Sequence, residues 1–303
     1  MDPGFSLQDP AFESISRLTL GTVQMGMDYG LAPRTQRPND ARAKAIFDHA
    51  WELGITCFDT ARAYGDAEAR IGHWSAETGH APLVVTKFPP VEDAAALEAN
   101  LAESARALGR RFLDAVLAHR AGDLQNPDIA NALRRARDEG RIGTFGASVY
   151  DPEEAEIALG VDGLAAMQVP LNAFDQRMAE SGVLARAAAA GIAVFARSVF
   201  LQGLLLHDPD ALPPFFTVLA DPLARFQAVA RAAGISPADL ALGVALARPE
   251  ITSAAIGMTE PAHLDANAEV LSQKTDQAVI DAAIDAGRGL PLDLVIPSRW
   301  PKS

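Results

Sequence analysis

Short apolar runs alternate with amphipathic stretches along almost the whole chain. The β-rich runs fall at 18–23, 55–58, 83–87, 112–118, 143–148, 164–169, 192–197 and 252–256, and their length and composition are those of buried strands. The stretches between them carry helical spacing. After Asn39-Asp40, a pair able to cap a helix, apolar residues stand at Ala43, Ile46, Phe47 and Ala50, and Gly54 closes the segment. Further helices are expected near 66–77, 93–108, 127–139, 152–159, 177–190, 222–233, 237–248 and 261–271.

Strands alternating with helices imply a parallel sheet. Eight such units imply an α/β protein of one domain, a (β/α)8 or TIM barrel. The barrel is expected over 17–290, with tails at 1–16 and 291–303. The rival is an open, doubly wound sheet, which should carry G-x-G-x-x-G after an early strand. Gly143-Thr-Phe-Gly146 has the wrong spacing and lies mid-chain.

Composition narrows the function. Of 303 residues 49% are apolar, enough for a large core, and 26 basic against 39 acidic residues give −13. Such a charge repels a phosphate backbone, so neither nucleic acid nor an anionic membrane is an expected partner. The one cysteine, Cys57, permits no intrachain disulfide and reads as a core residue. The opening residues lack the pattern of a secretory leader and no apolar run approaches the ~20 residues of a span, so a soluble, cytoplasmic protein is expected. No His/Asp/Glu cluster has metal-ligand spacing, and no metal is expected.

The candidate chemistry gathers at strand ends. Asp59 closes the run 55–58, and Tyr64 stands in the loop before the next helix. Lys87 ends the apolar run 83–87, and His119 ends 112–118. A buried lysine needs a counter-charge, and Asp59 is the candidate. Groups at the carboxyl ends of successive strands would meet at one face of a barrel.

The set Asp59-Thr60-Ala61, Tyr64-Gly65, Glu68, Lys87 and His119 resembles the aldo-keto reductases, from about Leu18 to Asn267. The resemblance implies that Asp59, Tyr64, Lys87 and His119 are the catalytic four, with NADPH or NADH as hydride donor. Tyr64 would be the general acid in reduction and the base in oxidation. A nearby ammonium lowers a phenol pKa, so Lys87 is expected to tune Tyr64, while Asp59 holds Lys87 and His119 orients a carbonyl oxygen. The substrate would be an aldehyde, ketone or sugar, and the protein a monomer or small homo-oligomer.

The same resemblance implies a cofactor site. Gly21 and Thr22 match the loop beside the nicotinamide, and Ser148, Gln168 and Asn172 match its carboxamide contacts. Arg197 stands where the family usually stacks an aromatic ring on the nicotinamide; its planar guanidinium can also stack. Ser198, Phe200 and Gln202 match pyrophosphate positions. Gly257, Thr259, His263 and Asn267 match the adenosine end. That stretch lacks Lys or Arg for a 2′-phosphate, and Glu260 would repel one, which leaves NADH or dual use open. Two other functions stay open as well: a non-catalytic nicotinamide-binding regulatory module, and an aldolase or isomerase forming a Schiff base on Lys87.

Overall fold

The computed structural model describes residues 7, 9–31 and 36–301. The parts of the expected tails at 1–6, 8 and 302–303 lie outside them. Eight parallel strands close in sequence order: β1 Leu18–Gly21, β2 Cys57–Asp59, β3 Leu83–Phe88, β4 Leu113–Ala118, β5 Ile142–Ser148, β6 Ala166–Pro170, β7 Ala193–Arg197 and β8 Ser253–Gly257. β8 returns to β1 with Gly257 opposite Gly21, so no edge is left unpaired.

The helices sit outside, and local sequence accounts for their ends. Asn39 accepts from the Arg42 N–H at the start of Asp40–Glu52, and Asp93 and Asp151 cap Ala94–Ala107 and Pro152–Leu159 likewise. Ala43, Ile46, Phe47 and Ala50 are all buried. The expected helix over 177–190 divides into Arg177–Glu180 and Val183–Ala189. Gly182, with φ of 75°, makes the break.

Strand parity organises the interior. Successive side chains of a strand face opposite sides, so residues two apart share a face. The apolar interior of the barrel consists of Cys57, Val85, Ala115, Leu117, Ala166, Ala193 and Phe195, with Phe12 against them. Phe12 is 2% exposed and meets Phe195 edge-on at 5.4 Å. Part of the segment read as an amino-terminal tail therefore closes the barrel floor. The opposite parity faces outward: Phe58 stacks on Phe47 and Trp74 of the surrounding helices.

Two segments beyond the expected helices also pack. Helix Gln277–Ala286 buries Ile280, Ala283 and Ala286, and Leu294, Val295 and Ile296 join the same outer cluster. Trp300 packs edge-on against Phe216 at 4.7 Å and donates to the Leu294 carbonyl. Among the described residues no single helix is long and apolar enough to cross a membrane, and no three His, Cys, Asp or Glu side chains form a metal-holding group.

Candidate active site

One strand step above the floor stand polar and charged groups. Asp59 follows Cys57 by two residues, Lys87 follows Val85, Gln168 follows Ala166 and Arg197 follows Phe195. His119 stands likewise beyond Leu117. The parity that turns the small and apolar residues inward thus turns these inward too, at the carboxyl end of the barrel. Asp59, His119, Gln168 and Arg197 line a cavity of ≈ 480 Å³.

Beneath the cavity lies a buried ion pair. The Lys87 Nζ is fully buried and donates to Asp59 Oδ1 at 2.6 Å and to the Thr60 carbonyl at 2.9 Å. Gln168 Nε2 donates to the same Asp59 oxygen at 2.8 Å. Removing two charges from water is costly, and these additional hydrogen bonds are what make such a pair tenable. Gln168, expected to bind a carboxamide, lines the cavity yet is already engaged with Asp59.

The Tyr64 loop is stitched to β3. Thr60 N–H donates to the Val85 carbonyl and Arg62 N–H to that of Lys87. Glu68, nearly fully buried, accepts from Thr86 Oγ1 at 2.6 Å and from Arg62 at 2.9 Å. On the other side, Gly26 touches the loop directly. A Cβ on Gly26 would lie 1.7 Å from the Tyr64 carbonyl oxygen, and one on Gly65 would lie 2.3 Å from that of Gly26. Gly26→Ala must therefore displace the Tyr64 backbone. Because a displacement of ~1 Å can cost about 10²-fold in rate, kcat should fall by about that factor. Gly122→Ala, which meets nothing, should leave it unchanged; equal kcat values in the two variants would refute the constraint.

Tyr64 and His119 face each other edge to face at 6.0 Å. Burial, reinforced by the Asp59 charge and opposed by Arg197, pushes the Tyr64 phenol well above its usual value. This departs from the expected tuning by Lys87. The ammonium sits over the Tyr64 ring, 5.1 Å from its centre, and is held by Asp59. The phenol accordingly keeps its proton. His119 moves the other way: burial, then Lys87 and Arg197, lower it to about 4. At neutral pH it is an uncharged imidazole with one N–H to donate.

The other expected positions divide. Gly21, Thr22, Ser148, Ser198, Phe200, Gln202, Gly257, Thr259 and His263 line the cavity. Asn172 and Asn267 do not. Asn172 is fully buried, donating to the Ser198 carbonyl and accepting from Phe174 N–H; Asn267 donates to the His263 carbonyl. Both amides hold loop backbone rather than face the cleft. Arg197 lines the cavity, but its guanidinium lies on the Tyr150 ring at 4.3 Å.

Tyr29 and Tyr150 stand in no motif of the sequence, yet all three tyrosines of the chain line this one cavity. Burial, with Tyr64 nearby, pushes Tyr29 up to about 12. A second surprise is at the adenosine-end loop. Arg42, from the first outer helix, pairs with Glu260 and donates through Nε to the Thr259 carbonyl at 2.9 Å. The loop after β7 is strained: Ser198, Leu201 and Gln202 all have left-handed φ, at 58°, 48° and 54°. Such residues cost on the order of 1–3 kcal/mol each and cluster at ligand sites.

A sequence profile described as the aldo/keto reductase family matches residues 17–286. The chain belongs to the aldo-keto reductase family. As such it is an NAD(P)-dependent oxidoreductase. It is 27% identical to an aldo-keto reductase of Strobilurus tenacellus over 65% of this chain, and it spans 61% of that relative's length. It is 25% identical to L-glyceraldehyde 3-phosphate reductase of Escherichia coli, covering 80% of this chain and 82% of the other. Among solved structures, the holo form of an aldo-keto reductase from Bacillus halodurans superposes with a TM-score of 0.74 at 20% identity, covering 91% and 93% of the two chains. Glycerol dehydrogenase of Gluconobacter oxydans gives 0.74 at 22%, covering 100% and 98%. These structural likenesses show the barrel.

Proposed function

We propose that this aldo-keto reductase reversibly reduces the carbonyl of a small aldehyde, ketone or sugar, with Tyr64 as general acid in reduction and general base in oxidation. One observation carries the reading: a phenol kept protonated and an uncharged imidazole stand edge to face in the wall of the cavity, above the Lys87–Asp59 pair. A carbonyl oxygen between them meets two neutral donors as negative charge develops on it. Tyr64 transfers its proton to that oxygen, and His119 fixes its direction. Lys87, over the ring, favours the phenolate that remains, and Asp59 keeps Lys87 charged and in place.

The cavity fits a nicotinamide dinucleotide, whose nicotinamide supplies the hydride. Gln24 Oε1 is a buried acceptor without a partner, and a Cβ on Gly257 would collide with the same side chain at 2.3 Å. The strained, left-handed loop after β7 brings Ser198 and Gln202 into the cavity wall. Gly21, Thr22, Ser148 and Gln168 would hold the nicotinamide end, Ser198, Phe200 and Gln202 the pyrophosphate, and Gly257, Thr259 and His263 the adenosine end. Asn172 and Asn267 would act through the backbone they hold. The Arg42–Glu260 pair bears on coenzyme choice, because it places a cation beside the carboxylate that would otherwise repel a 2′-phosphate.

The Schiff-base alternative needs an accessible, weakly held amine. Lys87 is fully buried and bonded to Asp59 and Thr60, which disfavours it. The first test is calorimetric titration of the purified protein with NADH and NADPH, followed in parallel by tryptophan fluorescence. Saturable binding of either is expected, and the tighter one shows whether Arg42 or Glu260 governs the adenosine end. A folded protein that binds neither would refute the reading.

A further inference from the structure

We propose that Arg197 is a receptor for an anionic group on the substrate, so that the site takes carbonyl compounds bearing a carboxylate or a phosphate. This rests on the reductase reading for the ligand being a substrate. Arg197 ends β7 and lines the cavity. Its Nη1 donates to Ser198 Oγ at 3.2 Å and its Nη2 to the Val149 carbonyl at 3.0 Å. Those partners are neutral. Its Nε is buried with no partner, and no described carboxylate lies within ion-pair distance of it, whereas Lys87 in the same site is paired. One face of the guanidinium is covered by Tyr150, which fixes its plane.

The charges around the cavity sharpen the point. Lys87 and Asp59 cancel, and His119 is uncharged at neutral pH. Glu154, which feels the Arg197 charge and accepts from the Tyr150 N–H at 2.7 Å, is not part of the cavity wall. Among the described residues this leaves Arg197 as the cation of the catalytic end without a salt bridge. Its charge reaches the reacting groups: it opposes protonation of His119 and lowers Tyr29 and Tyr64 against the other influences on them. A half-buried guanidinium without a counter-ion is costly, and it is the side chain best shaped to take carboxylate or phosphate oxygens through its planar fork. The net −13 of the chain does not oppose this at close range, since salt screens distant surface charge beyond about 8 Å. An anion attached near the reacting carbonyl would be drawn towards Arg197 while the carbonyl oxygen meets Tyr64 and His119.

The test has a binding arm and a kinetic arm. Calorimetry of the cofactor-free protein with inorganic phosphate, glycolate and 2-phosphoglycolate should show binding that weakens by about tenfold or more in Arg197→Gln, while Arg197→Lys retains part of it. The kinetic arm compares butanal with succinic semialdehyde, and glyceraldehyde with its 3-phosphate. In the native protein the charged member of at least one pair should have the higher kcat/KM by about tenfold or more, and which pair responds tells carboxylate from phosphate. In Arg197→Gln that ratio should fall towards one. Anions that fail to bind the native protein, or bind it and Arg197→Gln equally, would overturn the proposal whatever the enzyme reduces. Should Arg197→Gln fail to fold, equal kcat/KM for charged and neutral members in the native protein overturns it alone. Loss of reduction of all four aldehydes with anion binding intact would instead count against the reductase reading.

Discussion

Replacing Tyr64 with Phe should lower kcat by about 10²–10⁴-fold, the range supplied by a positioned proton donor, with NAD(P)H binding little changed. The substitution removes one oxygen and keeps the ring, so the edge-to-face contact with His119 and the ammonium over the ring survive. What disappears is the only acidic hydrogen of Tyr64, in a phenol that burial keeps protonated. Single-turnover measurement with saturating reduced cofactor isolates the chemical step. If the rate is unchanged, another group supplies the proton; Tyr29, held protonated in the same cavity, would be the next candidate.

The second large effect is on stability. Lys87→Met should destabilise the barrel by about 3–5 kcal/mol, because it leaves Asp59 buried and charged without its cation. Only the Gln168 donor remains on that carboxylate oxygen. Against a total stability of about 5–15 kcal/mol, this is a loss that thermal or urea unfolding reads directly. The sign can be checked in two ways. An unpaired buried carboxylate binds a proton more readily than in the unfolded chain, so the gap between variant and native protein should narrow as pH falls. Adding Asp59→Asn to Lys87→Met should recover part of the loss. A double variant as unstable as the single one would mean that lost packing of the lysine stem, not the orphaned charge, is responsible.

Much of the barrel could be read from sequence because each strand announced itself and its tip. Short apolar runs, the Asn39 cap and the Gly54 helix end have local causes, and Asp59, Lys87 and His119 are visible as polar residues closing apolar runs. What escaped has non-local causes. Tyr29 and Tyr150 sit in loops whose course depends on the closed barrel, and nothing near them in sequence points to a cleft. Arg42 meets Glu260 across 218 residues, so an adenosine loop scanned for cations seemed to have none. Asn172 and Asn267 follow their strands at the expected spacing, yet each amide donates to a loop or helix carbonyl, of Ser198 and His263 respectively, a choice that spacing does not reveal. The upward shift of the Tyr64 phenol escapes the sequence because the proximity of Lys87 is legible there and burial is not. Helix Gln277–Ala286 carried its own signal in Asp276 and the Ile280, Ala283 and Ala286 stripe, but the eight strand–helix units already looked complete.

Because Asp59, Lys87, Gln168 and Arg197 each stand two residues beyond an interior apolar residue on their own strand, the floor sets the height of these four groups. Enlarging Ala166 would push on β6 and raise Gln168, and through Gln168 the carboxylate that holds Lys87. Trimming Phe195 would let Arg197 settle towards Phe12. Substitutions one strand step below the site, outside the cavity wall, are thus a means of tilting the groups at the open side one at a time. A search for altered selectivity has as much to gain from the floor as from the loops.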